Sequence, residues 1–159
     1  SPVLDTLLYI KHETSVWLEI TTLLIPGEND APHEIEALSR WIVDNLGTDV
    51  PVHFSAFHPD YRLMDTPATP PETLFNARKV AMSSGLKFVY TGNVHNRTGG
   101  STWCPSCGSV IIERDWYKLG KWNLDAQGSC RSCGEWIAGM FESNPGNWGP
   151  KRQPVRLSR

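Results

Sequence analysis

Val-Trp-Leu-Glu-Ile-Thr-Thr-Leu-Leu-Ile, residues 16–25, runs straight into Pro26-Gly27, and the fold is read outward from it. The stretch is rich in β-branched and large apolar residues, carries one charge at Glu19, and stops at a strong turn signal. That is the pattern of a buried strand. Downstream, the loop holding Glu28, Asn29 and Asp30 leads into a helix from His33. Its apolar face is Ile35, Leu38, Trp41, Ile42 and Leu46, and Gly47 closes it. A second strand is expected over 52–57, running into His58-Pro59-Asp60. The proline-rich segment 60–71 is too irregular for regular structure and reads as a long loop. Pro70 and Pro71 open a helix over 72–84, with Leu74, Ala77, Val80 and Ala81 facing inward and Gly85 ending it. A third strand over 87–90 stops at Thr91-Gly92-Asn93. Upstream, Val3, Leu4, Leu7, Leu8 and Ile10 fit a helix that begins near Pro2 and ends before Thr14.

Strands alternating with helices in this order predict a parallel α/β sheet with right-handed crossovers. Three strands alone would leave long apolar edges, so the sheet is expected to pair with another chain or to be part of a larger α/β barrel.

With 159 residues and 40% apolar content the chain can bury a real core, which excludes a disordered polypeptide. The net charge of −2 is unevenly divided. Residues 1–95 carry 6 Lys/Arg against 12 Asp/Glu, and residues 96–159 carry 9 against 5. The basic excess at the back is modest and reads as a solvated surface, so a nucleic-acid partner is not expected. No apolar run is long enough to span a membrane and no signal peptide is recognisable, so a soluble, cytoplasmic protein is expected.

The four cysteines form two pairs, Cys104-Pro-Ser-Cys107-Gly108 and Cys130-Arg-Ser-Cys133-Gly134. In each CxxCG knuckle the turn lets two thiolates converge on one ion, and two such corners complete a tetrahedron. Cys104, Cys107, Cys130 and Cys133 are therefore the expected ligands of one metal. Zinc is expected over iron, because a closed four-thiolate site without other redox features needs no electron partner. With all positions filled by protein the role is structural. Segments 109–113 and 116–119 read as strands about a turn at Arg114-Asp115, giving a small zinc ribbon.

Several motifs in this order resemble a known family. LLIPGEND, AFHPDYRLMD, TPPETL, FVYTGNV and TWCPSCG are similar to the C-terminal half of the radical-SAM enzymes of the AmmeMemoRadiSam set, relatives of the pyruvate formate-lyase activating enzymes. The resemblance covers roughly residues 14–140. It implies an α/β fold in which residues 1–95 supply the last three units of a partial (β/α) barrel, followed by the ribbon at residues 96–143, while the Gly/Pro-rich residues 144–159 read by themselves as a flexible basic tail. It further implies contact with S-adenosylmethionine through Leu23, Ser55 and His58. The family's CxxxCxxC loop for a [4Fe–4S] iron-sulfur cluster is missing here, so S-adenosylmethionine and the cluster would belong to a complete parent chain, and this piece alone is expected to be inactive. The implied partner is a missing N-terminal barrel half or a substrate protein.

The alternative is a module without catalytic activity that binds nucleic acid or a protein through the ribbon. Trp103, Trp116, Trp122, Trp136 and Trp148, beside the terminal KRQPVRLSR, would suit stacking, but tryptophans in a tiny metal domain are expected to supply its core. His95, Asn96 and Arg97 follow the third strand and are candidates for substrate or partner contact. Asp60, Tyr61, Arg62 and Asp65 read as solvated loop residues. No phosphate-binding glycine pattern is present.

Overall fold

Proline sets where the helices begin, because its fixed φ suits the first helical turn and that turn needs no N–H. Pro2, Pro32 and Pro71 each open one: α1 Pro2–Glu13, α2 Pro32–Leu46 and α3 Pro71–Ser83. Gly47, at φ 94°, stops α2 by donating its N–H to the Ile42 and Val43 carbonyls. Between them lie β1 Ile20–Leu24, β2 Val52–Ala56 and β3 Val89–Gly92. A short α4, Arg97–Gly100, precedes β4 Thr102–Trp103, β5 Val110–Asp115 and β6 Lys118–Trp122. These elements come from a computed structural model in which residues 1–146 are described. Residues 147–159 of the expected basic tail, Trp148 among them, lie outside the described residues.

The strands form two sheets. β1, β2 and β3 are parallel in that order, with Leu23 opposite Ser55 and Ser55 opposite Gly92. β4, β5 and β6 form a separate antiparallel sheet. Leu24, Val52, Phe54 and Val89 pack with Ile35, Ile42 and Leu46 of α2 and Ala77 and Ala81 of α3. Each large side chain buried this way stabilises the fold by about 1.5–3 kcal/mol. The second core, Phe88, Ile111, Ile112, Leu124, Ile137 and Ala138 with Cys104 and Cys130, lies under the antiparallel sheet. Phe88, just before β3, belongs to this second core and so ties the two sheets together.

The strand ends are closed by side chains. Asn29 accepts from the Ile25 N–H and donates to the Leu23 carbonyl, and Asn93, at φ 60°, donates to the Ala56 carbonyl. The irregular segment before α3 is held by buried Thr69, whose hydroxyl donates to the Leu24 carbonyl at 2.6 Å and accepts from the Phe57 N–H at 2.9 Å. None of the described helices is long and apolar enough to cross a membrane.

The expected partial barrel is corrected by this topology. The parallel sheet is open and three-stranded, the second sheet is antiparallel, and no closed barrel forms among the described residues. The physical reason is written in β2. Val52, Phe54 and Ala56 are buried while His53 and Ser55 between them are only half-buried, a period of two that marks a sheet covered on one face. Strand bounds also shift. β1 starts at Ile20, four residues after the apolar run begins, and β3 runs Val89–Gly92 rather than 87–90. The β5–β6 turn falls at Trp116-Tyr117, because Arg114 pairs with Leu119 and Asp115 with Lys118, so Arg114 and Asp115 stay in the ladder. No Asn-Gly or Gly-rich pair marked that turn in the sequence.

Candidate metal centre and adjoining cleft

The two CxxCG segments fold into near-copies of one another. In the first, the Gly108 N–H donates to the Cys104 carbonyl at 3.0 Å and the Cys104 N–H to the Ser109 carbonyl at 2.9 Å. In the second, Gly134 donates to Cys130 and Cys130 to Glu135, both at 2.8 Å. Gly108 and Gly134 take φ 70° and 80°, a region that side chains disfavour. A Cβ at either would meet nothing within 4 Å, so glycine is needed here for its backbone angle and not for room beside the sulfurs.

The four sulfurs lie within 4.8 Å of one another. Cys104 and Cys133 are 3.6 Å apart, and Cys107 and Cys130 are 3.8 Å apart. Zinc–sulfur bonds of about 2.3 Å define a tetrahedron with edges of about 3.8 Å, so the donor set fits that ion. It does not fit disulfides, whose sulfurs approach to about 2.05 Å. Crowding of the thiols splits their proton affinities. The Ser109 hydroxyl, then the Ser109 N–H, bring Cys107 down to about 6. Cys133 accepts from the Glu135 N–H, which lowers it, but Cys107, burial and the other two sulfurs outweigh that and push it up to about 12. A divalent cation among them would remove the conflict that forces one thiol to keep its proton.

Leu23 and Ser55 stand opposite each other on the sheet face that the helices leave uncovered, and Leu23 is 45% exposed. His58 lies beyond the end of β2 with its Nδ1 2.8 Å from Asp60 Oδ1. The role attached to these three, contact with S-adenosylmethionine, has no support apart from the resemblance. His95, Asn96 and Arg97 are gathered at the ribbon. His95 Nε2 and Arg97 Nη2 both lie 2.8 Å from the Asp115 carboxylate, and the Asn96 side chain accepts from the Gly99 N–H. These two partners, the Arg97 hydrogen bond first, hold the Asp115 carboxyl below its ordinary range.

The uncovered sheet face and the ribbon enclose a cleft of about 1040 Å³. The sequence reading did not identify it. On its floor the rings of His53 and Tyr90 stack with centroids 4.9 Å apart, and His53 Nε2 sits 2.8 Å from Glu19 Oε2. Tyr90 Oη and Thr102 Oγ1 are 2.9 Å apart, and Arg114 of the ribbon lies over the Tyr90 ring at 5.7 Å. Burial raises the Tyr90 pKa, against the opposing pull of Thr102 and Arg114, so the phenol stays neutral. The signal that could have revealed the cleft was polar residues alternating with apolar ones along β2, which a strand buried on both faces would not show. The tryptophan expectation is likewise corrected in part. Trp122 packs on the ribbon core, but Trp116 and Trp136 are 57% and 60% exposed.

Compared with known proteins, the chain is 44% identical over 137 residues to the uncharacterized protein MJ0808 of Methanocaldococcus jannaschii. The match takes in 86% of this chain and 41% of that protein, so the chain spans about two-fifths of the relative's length. No family model matches, and no solved structure matches. With an open three-stranded sheet and no matching family, the radical-SAM reading is corrected, and with it the iron-sulfur and barrel descriptions. What stands is a small mixed α/β domain with four cysteines close enough to coordinate one metal ion.

Proposed function

We propose that Cys104, Cys107, Cys130 and Cys133 hold one Zn²⁺ as a structural centre, and that the chain is a metal-anchored module on an α/β body. The observation that carries this is the spacing of the sulfurs, 3.6 and 3.8 Å across the two knuckles, near the edge of a zinc–thiolate tetrahedron. All four corners are protein, leaving no position for water or substrate, so the ion contributes folding energy and not chemistry. The body occupies residues 1–95 and the ribbon 96–143, with Phe88 and Tyr90 as the joint where the first packs on the second. Two CxxC pairs placed to hold one metal suit a reducing compartment, which supports a cytoplasmic location.

Elemental analysis of protein purified without added metal tests the assignment. One zinc per chain, lost on strong chelation together with the near-ultraviolet signal of Trp122, is the expected result. Iron in the same stoichiometry, with its thiolate-to-metal absorption bands, would keep the site and replace the ion. A metal-free chain that stays folded and takes up neither ion would overturn the reading.

A further inference from the structure

We propose that the cleft between the parallel sheet and the ribbon is a binding site for a small oxyanion, a carboxylate or phosphate, carried on a flat apolar body, with Arg114 as the anion's anchor. The argument starts from what Arg114 leaves unused. Its Nη1 donates to Thr102 Oγ1 at 2.7 Å and to the Gly100 carbonyl at 3.4 Å, which fixes one edge of the guanidinium. The guanidinium also faces the Tyr90 phenol, and among the described residues Nε and Nη2 meet no other acceptor and no carboxylate within 4.0 Å, although the side chain is half-buried. The Nε/Nη2 edge is the fork that pairs with two oxygens of one oxyanion, and leaving it empty in a partly dehydrated cleft forgoes that pairing.

Two of the three acids lining the same cleft are already engaged, and the third, Glu142, is exposed and pairs with no cation among the described residues. Glu19 accepts from Trp17 Nε1 and faces His53 Nε2, and Asp115 is held by His95 and Arg97. Of the two arginines lining the cleft, Arg97 is paired with Asp115, and Arg114 is left without a carboxylate partner among the described residues. The flat apolar body follows from the walls, where the exposed rings of Trp17, Trp116 and Tyr117 line the cleft. A cleft of about 1040 Å³ is ample for a small molecule. This inference does not rest on the metal reading, since a metal-free but folded ribbon would present the same guanidinium.

The test uses the full chain with its metal content measured, and titrates phenyl phosphate, benzoate, inorganic phosphate and uncharged benzyl alcohol, followed by tryptophan fluorescence and by the ¹⁵Nε resonance of Arg114. Saturable binding of phenyl phosphate or benzoate is expected, at least tenfold tighter than benzyl alcohol, with a shift of the Arg114 resonance. The stronger of the two anions identifies the natural oxyanion class. Arg114→Gln should weaken binding at least tenfold, and Arg114→Lys, which keeps the charge without the fork, by less. The two variants are compared at matched circular dichroism, so that loss of the fold is separated from loss of the anchor. No saturable binding of either anion, equal affinity for benzyl alcohol, or a folded Arg114→Gln that binds like the parent would each overturn the proposal.

Discussion

Cys104 Sγ and Cys133 Sγ stand 3.6 Å apart although they belong to different knuckles, and this cross-pairing is what closes the ribbon. Cys104 follows β4, while Cys133 lies in the loop after β6, so one ion at this point would staple both ends of the antiparallel sheet.

Replacing either residue of that pair should therefore undo more than a local contact. Cys104→Ser or Cys133→Ser is expected to abolish stoichiometric zinc and to unfold the ribbon, while the α/β body, whose core holds no cysteine, keeps its helical circular dichroism. Elemental analysis and far-ultraviolet spectra on the same sample check both halves. Wild-type zinc content in Cys104→Ser would contradict the four-thiolate assignment.

Gly108→Ala and Gly134→Ala isolate the backbone from the sulfurs. Since a Cβ meets nothing at either position and φ is +70° and +80°, each substitution should cost about 1–2 kcal/mol from the left-handed conformation alone. Urea midpoints with zinc bound would measure this. Gly99→Ala should cost more for a different reason, because its Cβ would collide with the Thr91 side chain, and Thr91 Oγ1 is buried without a hydrogen-bond partner.

Trp116 takes φ +53° at the hairpin tip, and its ring stacks on His95 at 6.2 Å. The positive φ costs about 1–2 kcal/mol, while a stack at that separation returns roughly 0.5 kcal/mol. Trp116→Asn, which tolerates the left-handed region, should raise the unfolding midpoint by an amount corresponding to about 0.5–1 kcal/mol. A lowered midpoint would show that the stack contributes more than the backbone strain.

Asp115 supplies a pH dependence. Its folded pKa is depressed, so its contribution to stability is present above the unfolded carboxylate value of about 3.9 and is lost as pH falls through the lower folded value. The stability difference between the parent and Asp115→Asn should be fully present above about pH 4 and vanish in strong acid. Protonation of the thiolates also removes zinc in acid, but that loss is common to both chains and cancels in the difference. A difference that persists unchanged into strong acid would contradict the depressed Asp115 carboxyl.

The sequence disclosed most where spacing within a few residues carries the chemistry. The knuckles and the helices opened by Pro2, Pro32 and Pro71 were legible for that reason. Gly47 and Gly85 were readable stops because only a positive φ turns the chain there. The barrel reading, which rested on the apolar edges of a three-stranded sheet and on the family resemblance, failed because the sheet stays open with one face uncovered, as the alternation of His53 and Ser55 with Val52, Phe54 and Ala56 already signalled. Trp116 was misplaced because nothing local announces a tryptophan in a left-handed turn.

Two CxxCG corners and an alternation of strands with helices are properties of neighbouring residues, so the sequence by itself determined a thiolate metal site and a parallel α/β sheet. The uncovered sheet face, the cleft beside it and the unfilled edge of Arg114 were decided only in the tertiary structure. Glu19 and His53 are 34 positions apart, and Tyr90 meets Arg114 only because Phe88 anchors β3 in the ribbon core. Contacts of that range depend on how two sheets pack, and no local spacing encodes that packing.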